Sequence, residues 1–217
     1  MKKRDASNWS GSFRAVYAPA WLSVGVALKV LSPRFKVSGR GNLPRHGAMI
    51  LAPNHLSNID PVLMAYAALR PLSFMAKKEL FDIPLLNKIM RFANAFPVEQ
   101  SSPDRAALRE AEAQLKAGHP LVIFPEGKCS EKGELQPLLP GVALLALKCQ
   151  VPVIPVGIVN SNQLMPYGKV LPRFTTSKVS IHFAPPLLTG DLQEMPSREA
   201  RALFNERLET ALRRMVK

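Results

Sequence analysis

Cysteine is nearly absent: Cys129 and Cys149 are the only two in 217 residues. Two thiols exclude a disulfide framework and a Cys-built metal site, and both read as reduced thiols of a reducing compartment. Acids are scarce as well, 16 Asp and Glu against 29 Lys and Arg, for a net charge of +13. The shortage is sharpest at the front, where Lys2, Lys3, Arg4, Arg14, Lys29, Arg34, Lys36 and Arg40 stand against Asp5 alone. Such an imbalance points to an anionic partner, a membrane surface or a nucleic acid. Zinc-ligand spacing, an RNA-recognition motif and basic stretches interleaved with aromatics are all missing. The expected partner is therefore an anionic membrane surface, and no nucleic acid.

Long apolar runs are missing where they would matter. Ala15 to Leu28 is uncharged and carries Tyr17, Pro19 and Trp21, with Trp9 and Phe13 flanking it. It falls short of the roughly 20 apolar residues that a membrane span needs. Cations on both sides leave no orientation signal, and no small-residue cleavage site of a signal peptide follows. The expectation is an N-terminal amphipathic, membrane-associating helix with cations on lipid phosphates, the alternative being a helix packed on the core. Repeats, low-complexity tracts and long linkers are also absent. A membrane-associating segment, 1–34, followed by one domain, 35–217, fits this length.

Within the domain, strand and helix patterns alternate, the mark of α/β architecture. Met49–Ala52, Leu72–Ala76, Leu121–Phe124, Val153–Ile158 and Lys178–Phe183 read as strands, although prolines interrupt Val151–Ile158. Ser102-Pro103 opens a helix with an inner stripe of Leu108, Ala111 and Leu115, an exposed Glu112–Lys116 pair and a stop at Gly118. A last helix from about Ser197 turns Leu203, Phe204, Leu208 and Leu212 inward. The expected fold is a single domain with a mixed sheet flanked by helices.

The candidate chemistry lies between the first two elements. In Asn54-His55-Leu56-Ser57-Asn58-Ile59-Asp60-Pro61, a histidine precedes an aspartate with four residues between them. A straight helix would place the two on different faces. Here His55 follows a strand, and Asp60-Pro61 reads as the N-cap and first residue of a helix. That bend allows the carboxylate to meet the imidazole as a general base and its orienting acid; a plain helix cap beside a loop histidine is the alternative. A second segment, Phe124-Pro125-Glu126-Gly127-Lys128-Cys129-Ser130, follows another strand, where ligand sites of α/β sheets collect. His46 and His119 lie in turn-like stretches, and strand alternation puts His182 on a polar face.

Together these segments resemble the glycerolipid acyltransferase family, of the bacterial lysophosphatidic acid acyltransferase type, over about 35–158. Asn54, His55 and Asp60 match its Asn-His-x4-Asp motif. Phe124, Pro125, Glu126, Gly127 and Ser130 match its Phe-Pro-Glu-Gly-Thr-Arg-Ser motif, Lys77-Lys78-Glu79-Leu80 its Lys-x-Glu-Leu element, and Val151–Gly157 its proline-containing strand. Two family arginines are replaced, by Gln100 and by Cys129 in Lys128-Cys129. The resemblance assigns those arginines to the acceptor's phosphate, work suited to a planar fork of donors; Lys128, Arg91 and Arg105 are the other sources of that charge. Cys129 itself is either a small residue in the arginine's place or a thiol paired with His55.

The resemblance implies direct acyl transfer. His55 takes the proton of a lysolipid hydroxyl as it attacks an acyl thioester, and Asp60 orients the ring. Asn54, Lys77, Gln100, Glu126, Gly127 and Lys128 are the implied substrate-binding residues. It implies no metal and no bound cofactor, acyl-CoA or acyl-acyl carrier protein as donor, and 1-acylglycerol-3-phosphate as acceptor. It also implies a peripheral place on the cytoplasmic face of a membrane. The missing arginines leave two alternatives: acylation of another lysolipid with a substituted or absent phosphate, and a catalytically silent membrane-binding protein on the same scaffold.

Overall fold

In a computed structural model, the described residues are 11–84, 87–88, 90, 94–98 and 105–216, the side chains of 11–18 and 20 excepted. Seven strands among them form one sheet: β1 (Lys36–Ser38), β2 (Ile50–Pro53), β3 (Ser73–Lys77), β4 (Ala95–Val98), β5 (Leu121–Val122), β6 (Val153–Val159) and β7 (Ser180–Phe183). Their spatial order is β1-β7-β6-β2-β5-β3-β4. Only the β6–β7 pairing is antiparallel, so the sheet is mixed. The helices are α1 (Gly11–Leu31), α2 (Asp60–Ala68), α3 (Arg105–Lys116), α4 (Gly141–Cys149), the single turn α5 (Ser161–Leu164) and α6 (Ser197–Met215).

Side chains of a strand alternate between faces, and both faces of this sheet are covered. Leu51 of β2 packs with Leu63 and Met64 of α2 and Leu28 of α1. Its neighbours Ile50 and Ala52 join Leu115 of α3, Leu145 of α4 and Phe204 and Leu208 of α6 on the other side. This double burial explains why the strands read as continuous apolar runs rather than alternating ones. Pro155 is tolerated in this central strand for a separate reason. Val156 pairs with Phe183, and one residue earlier the Pro155 carbonyl accepts from Ala184, so the missing N–H falls where the ladder with β7 ends.

Several boundaries differ from expectation. The strand expected over Leu121–Phe124 pairs only at Leu121–Val122. Ile123 still donates to the Leu51 carbonyl at 3.0 Å, and Pro125, which lacks an N–H, follows as the chain leaves the sheet. β1 and α4 were not anticipated. The start expected for α3 at Ser102, like Gln100 and Arg91, lies outside the described residues. Ala111 and Leu115 are buried, while Leu108 is partly so. Glu112 bonds Lys116 and also Lys148 of α4, each at 2.7 Å. His46 is exposed, and His182 is an exposed strand residue whose Nδ1 meets Ser38 Oγ at 2.9 Å. His119 is buried against Gln114.

Helix α1 lies on α2 through Trp21, stacked on Tyr66 with ring centroids 4.9 Å apart. Gly25 allows that approach: a Cβ there would stand 3.2 Å from the Tyr66 ring. Its opposite side exposes Leu22, Val26 and Val30 beside Ser23 and Lys29. Among the described side chains, the exposed side of α1 therefore mixes apolar residues with polar and charged ones. No helix of the described residues is long and apolar enough to cross a membrane.

Candidate active site

β6, β2 and β5 are adjacent and parallel, so their carboxyl ends lie together. In open α/β sheets that edge is where ligands bind. β2 delivers Asn54 and His55, β5 leads into Phe124–Gly127, and β6 ends beside Ile158.

The turn from β2 into α2 is wrapped around one oxygen. Asp60 Oδ2 accepts from His55 Nδ1 at 2.9 Å, from the Leu56 N–H at 2.7 Å and from the Ser57 N–H at 2.8 Å. The expected role of Asp60 as N-cap is corrected: Ile59 is the N-cap, Asp60 is the first residue of α2, and Pro61 follows. From that position its carboxylate turns back over the loop to the N–H groups of Leu56 and Ser57 and sits at the positive end of the helix dipole. Asp60 is fully buried, and its Oδ1 has no partner among the described residues. The His55 ring is 15% exposed and stacks on Phe124, with centroids 4.0 Å apart. When Nδ1 donates to Asp60 in a neutral ring, Nε2 keeps its lone pair, and an imidazole held in that tautomer can serve as a general base.

Glu126 and Asn54 hold this turn from behind. Glu126 Oε1 accepts the His55 N–H and Oε2 the Gln136 N–H, both at 2.7 Å. Burial pushes its carboxyl above the ordinary range, while the N–H groups of Gln136 and His55 pull it back. The Ser130 N–H in turn donates to the His55 carbonyl at 2.8 Å. Asn54, also buried, donates from Nδ2 to the Ile158 carbonyl at 2.9 Å and accepts the Ile158 N–H at 2.7 Å. Both residues were expected to bind substrate; here the polar atoms of each are bonded to backbone that holds the His55 turn. Gly127 is required by geometry: its φ is +71°, and a Cβ would stand 2.5 Å from Leu139 Cδ1.

The expected phosphate-binding groups among the described residues belong to different elements. Lys77 ends β3 and is half-exposed, 3.6 Å from Glu79. Lys128 and Arg105 are exposed. Cys129 is partly buried, and its thiol is pushed up to about 12 by desolvation and then by the charges of Asp60 and Glu126. Such a thiol holds little of the reactive thiolate form. Among the described residues no three His, Cys, Asp or Glu side chains gather as a metal site. Sequence reasoning passed over Phe124 as a partner of the His55 ring and Gln136 as a partner of Glu126. An aromatic directly before Pro125-Glu126 was a usable signal for the first; a backbone N–H leaves none for the second.

A family model described as Acyltransferase matches residues 34–159. The chain is 29% identical over 193 residues to the 1-acyl-sn-glycerol-3-phosphate acyltransferase of Bacillus subtilis, covering 87% of this chain and 93% of that protein. It is 28% identical over 141 residues to the protein of that name from Borreliella burgdorferi, 64% of this chain and 56% of the other. Among solved structures, the 1-acyl-sn-glycerophosphate (LPA) acyltransferase PlsC from Thermotoga maritima superposes with a TM-score of 0.72 at 27% identity, over 93% of this chain and 81% of that one.

Proposed function

This chain belongs to the acyltransferase family, and from that premise we propose that it moves a fatty acyl group from a thioester to the free hydroxyl of 1-acylglycerol-3-phosphate, forming phosphatidic acid, with His55 as general base. The observation that carries the mechanism is the Nδ1 bond to a fully buried Asp60 carboxylate. Nε2 takes the hydroxyl proton as the oxygen attacks the thioester carbonyl. The tetrahedral intermediate collapses, the C–S bond breaks, and the imidazolium returns the proton to the leaving thiolate. Asp60 holds the tautomer and offsets the charge on the ring. The attacking oxygen belongs to the substrate, so the protein forms no covalent intermediate. Asn54, Glu126 and Gly127 fix the turn; Lys77 and Lys128 supply positive potential for the acceptor, with Gln100 at the place of a family arginine. The donor is acyl-CoA or acyl-acyl carrier protein. Segment 1–34 places the domain, 35–217, on the cytoplasmic face of an anionic membrane as a peripheral protein.

The test is purified protein with labelled acyl-CoA and acyl-carrier-protein donors and a panel of lysolipids. Acylation of lysophosphatidic acid, lost by at least about a hundredfold in His55→Ala, is the expected result; near-normal turnover by that variant rejects the base. One observation favours a second reading. Cys129 stands where the family has an arginine and brings no positive charge, so an acceptor with a substituted or absent phosphate fits. Wild-type protein that ignores lysophosphatidic acid but acylates such a lysolipid decides for it.

A further inference from the structure

Tyr167 to Phe174 is a run in which every residue is exposed. Val170 is 83% exposed, Leu171 77% and Phe174 60%. Single exposed apolar side chains are ordinary, but several together on one loop mark a surface that meets something. The loop is braced. Gly168, at φ +73°, turns the chain so that the Lys169 N–H reaches the Pro166 carbonyl at 3.0 Å. The Arg173 N–H donates to Leu164 at 2.8 Å, and its Nε to the Gln163 carbonyl at 3.1 Å. Such a loop presents its apolar tips at little further entropic cost.

Charge and neighbours identify the partner. Lys169 and Arg173 flank the two aliphatic tips, and the sequence holds no Asp or Glu between Glu134 and Asp191; an acid meets the loop at its start, Glu131 at Tyr167. Asp5 and Asp60 bracket a second acid-free stretch, which contains α1. The two stretches meet where the Thr175 N–H donates to the Leu31 carbonyl at 2.8 Å, and α1 itself exposes Leu22, Val26 and Val30. Bare aliphatic tips between cations match the boundary of an anionic bilayer, with apolar groups among acyl chains and cations on phosphates. The loop is also fastened to the catalytic turn. Ser57 Oγ donates to the Met165 carbonyl, Asn58 Nδ2 reaches the Lys169 carbonyl at 3.4 Å, and Tyr167 is bonded to Glu131, one residue past Ser130.

We propose that the loop Pro166–Phe174 is a second lipid-docking element. It inserts Val170 and Leu171 into an anionic bilayer beside α1, so that the acceptor reaches His55 from the membrane. This rests on the acyltransferase reading only for the acceptor; the docking stands separately.

The test uses the full chain, vesicles of phosphatidylglycerol and phosphatidylcholine in about equal parts, and the double variant Val170→Ser, Leu171→Ser. Both positions are exposed, so the thermal midpoint should match wild type. Vesicle partition measured by flotation should weaken about tenfold or more. Acylation of vesicle-borne lysolipid should fall in parallel, while turnover of a short-chain lysolipid below its aggregation concentration stays at the wild-type level. Separately, Leu171→Trp should add a blue-shifted emission quenched by brominated lipid. Unchanged flotation overturns the proposal. So does unchanged flotation with a raised KM for acyl-carrier-protein alone, which makes the patch a protein-docking surface. Wild-type protein that floats through this loop yet acylates no lysolipid upholds the docking element and rejects the acyltransferase reading.

Discussion

Glu126 grips the backbone of His55 and leaves its ring alone: Oε1 accepts the His55 N–H at 2.7 Å, while Oε2 takes the Gln136 N–H at the same distance. Two loops are tied by one carboxylate. Glu126→Gln keeps the shape but turns one acceptor into a donor facing an N–H. The His55 turn should shift, and kcat should fall about ten- to hundredfold with KM for the acceptor little changed. Steady-state kinetics decide it; a variant that raises KM alone makes Glu126 a substrate ligand.

The same carboxyl sets a pH dependence of stability. Burial raises it above the value of 4.5 for an ordinary Glu, so the folded state holds its proton more readily than the unfolded chain. That contribution is present below the ordinary value and is lost as pH rises through the raised one. Thermal midpoints of wild type and Glu126→Gln, measured from about pH 8 down toward the ordinary carboxylate range, should therefore shift in favour of wild type on acidification. A constant difference across the range removes the effect.

Asp60→Asn should preserve the fold and lose activity. The amide oxygen can take the place of Oδ2 and keep its three bonds, with the NH2 at the position of Oδ1, which has no partner among the described residues; the ring loses the counter-charge that steadies its protonated form. A loss on the order of a thousandfold in kcat is expected, with the circular dichroism spectrum unchanged. Activity within a few-fold of wild type makes Asp60 only a brace for Leu56 and Ser57.

Asn54→Leu removes both bonds to Ile158 and strands a buried N–H and C=O. The cost should be about 3 kcal/mol, read as the shift in urea midpoint at constant slope. A change below about 1 kcal/mol shows that the pair with Ile158 is dispensable.

Cys129 should be slow toward iodoacetamide. Against an ordinary thiol at 9.0, a value of about 12 lowers the thiolate fraction at pH 8 about a thousandfold. In a Cys149→Ser background, labelling should be far slower than for a free thiol, and Cys129→Ala should keep its turnover. Loss of turnover in that variant, with a trapped acyl-protein, reinstates the nucleophile.

The fold's frame was legible where local chemistry and burial agree. Asp60-Pro61 marked the start of α2 to within one residue, because proline has few other places in a helix. The inward stripe of α6, Phe204, Leu208 and Leu212, followed from helical spacing. β1 was not legible, since Lys36-Val37-Ser38 offers one apolar residue and exists through pairing with β7. α4 was missed although Pro140-Gly141 and a Leu- and Ala-rich run were signals; buried on one face of the sheet, it lacks a polar period. At the site, the contact of His55 with Asp60 was legible from spacing. The backbone bonds of Asn54 and Glu126 were not, because they depend on which backbone groups three separate strand ends bring within reach.

The order of strands in the sheet has a consequence for synthesis. β2 lies between β5 and β6, and Asn54 must await Ile158, 104 positions later. At translation rates of about 5–20 residues per second, that is roughly 5–20 s in which β2 has emerged without its β6 neighbour. Throughout that interval its unpaired, apolar edge is what a nascent-chain chaperone would meet. α1 precedes all of it in the chain, so it has emerged well before the His55 turn has a scaffold to close upon.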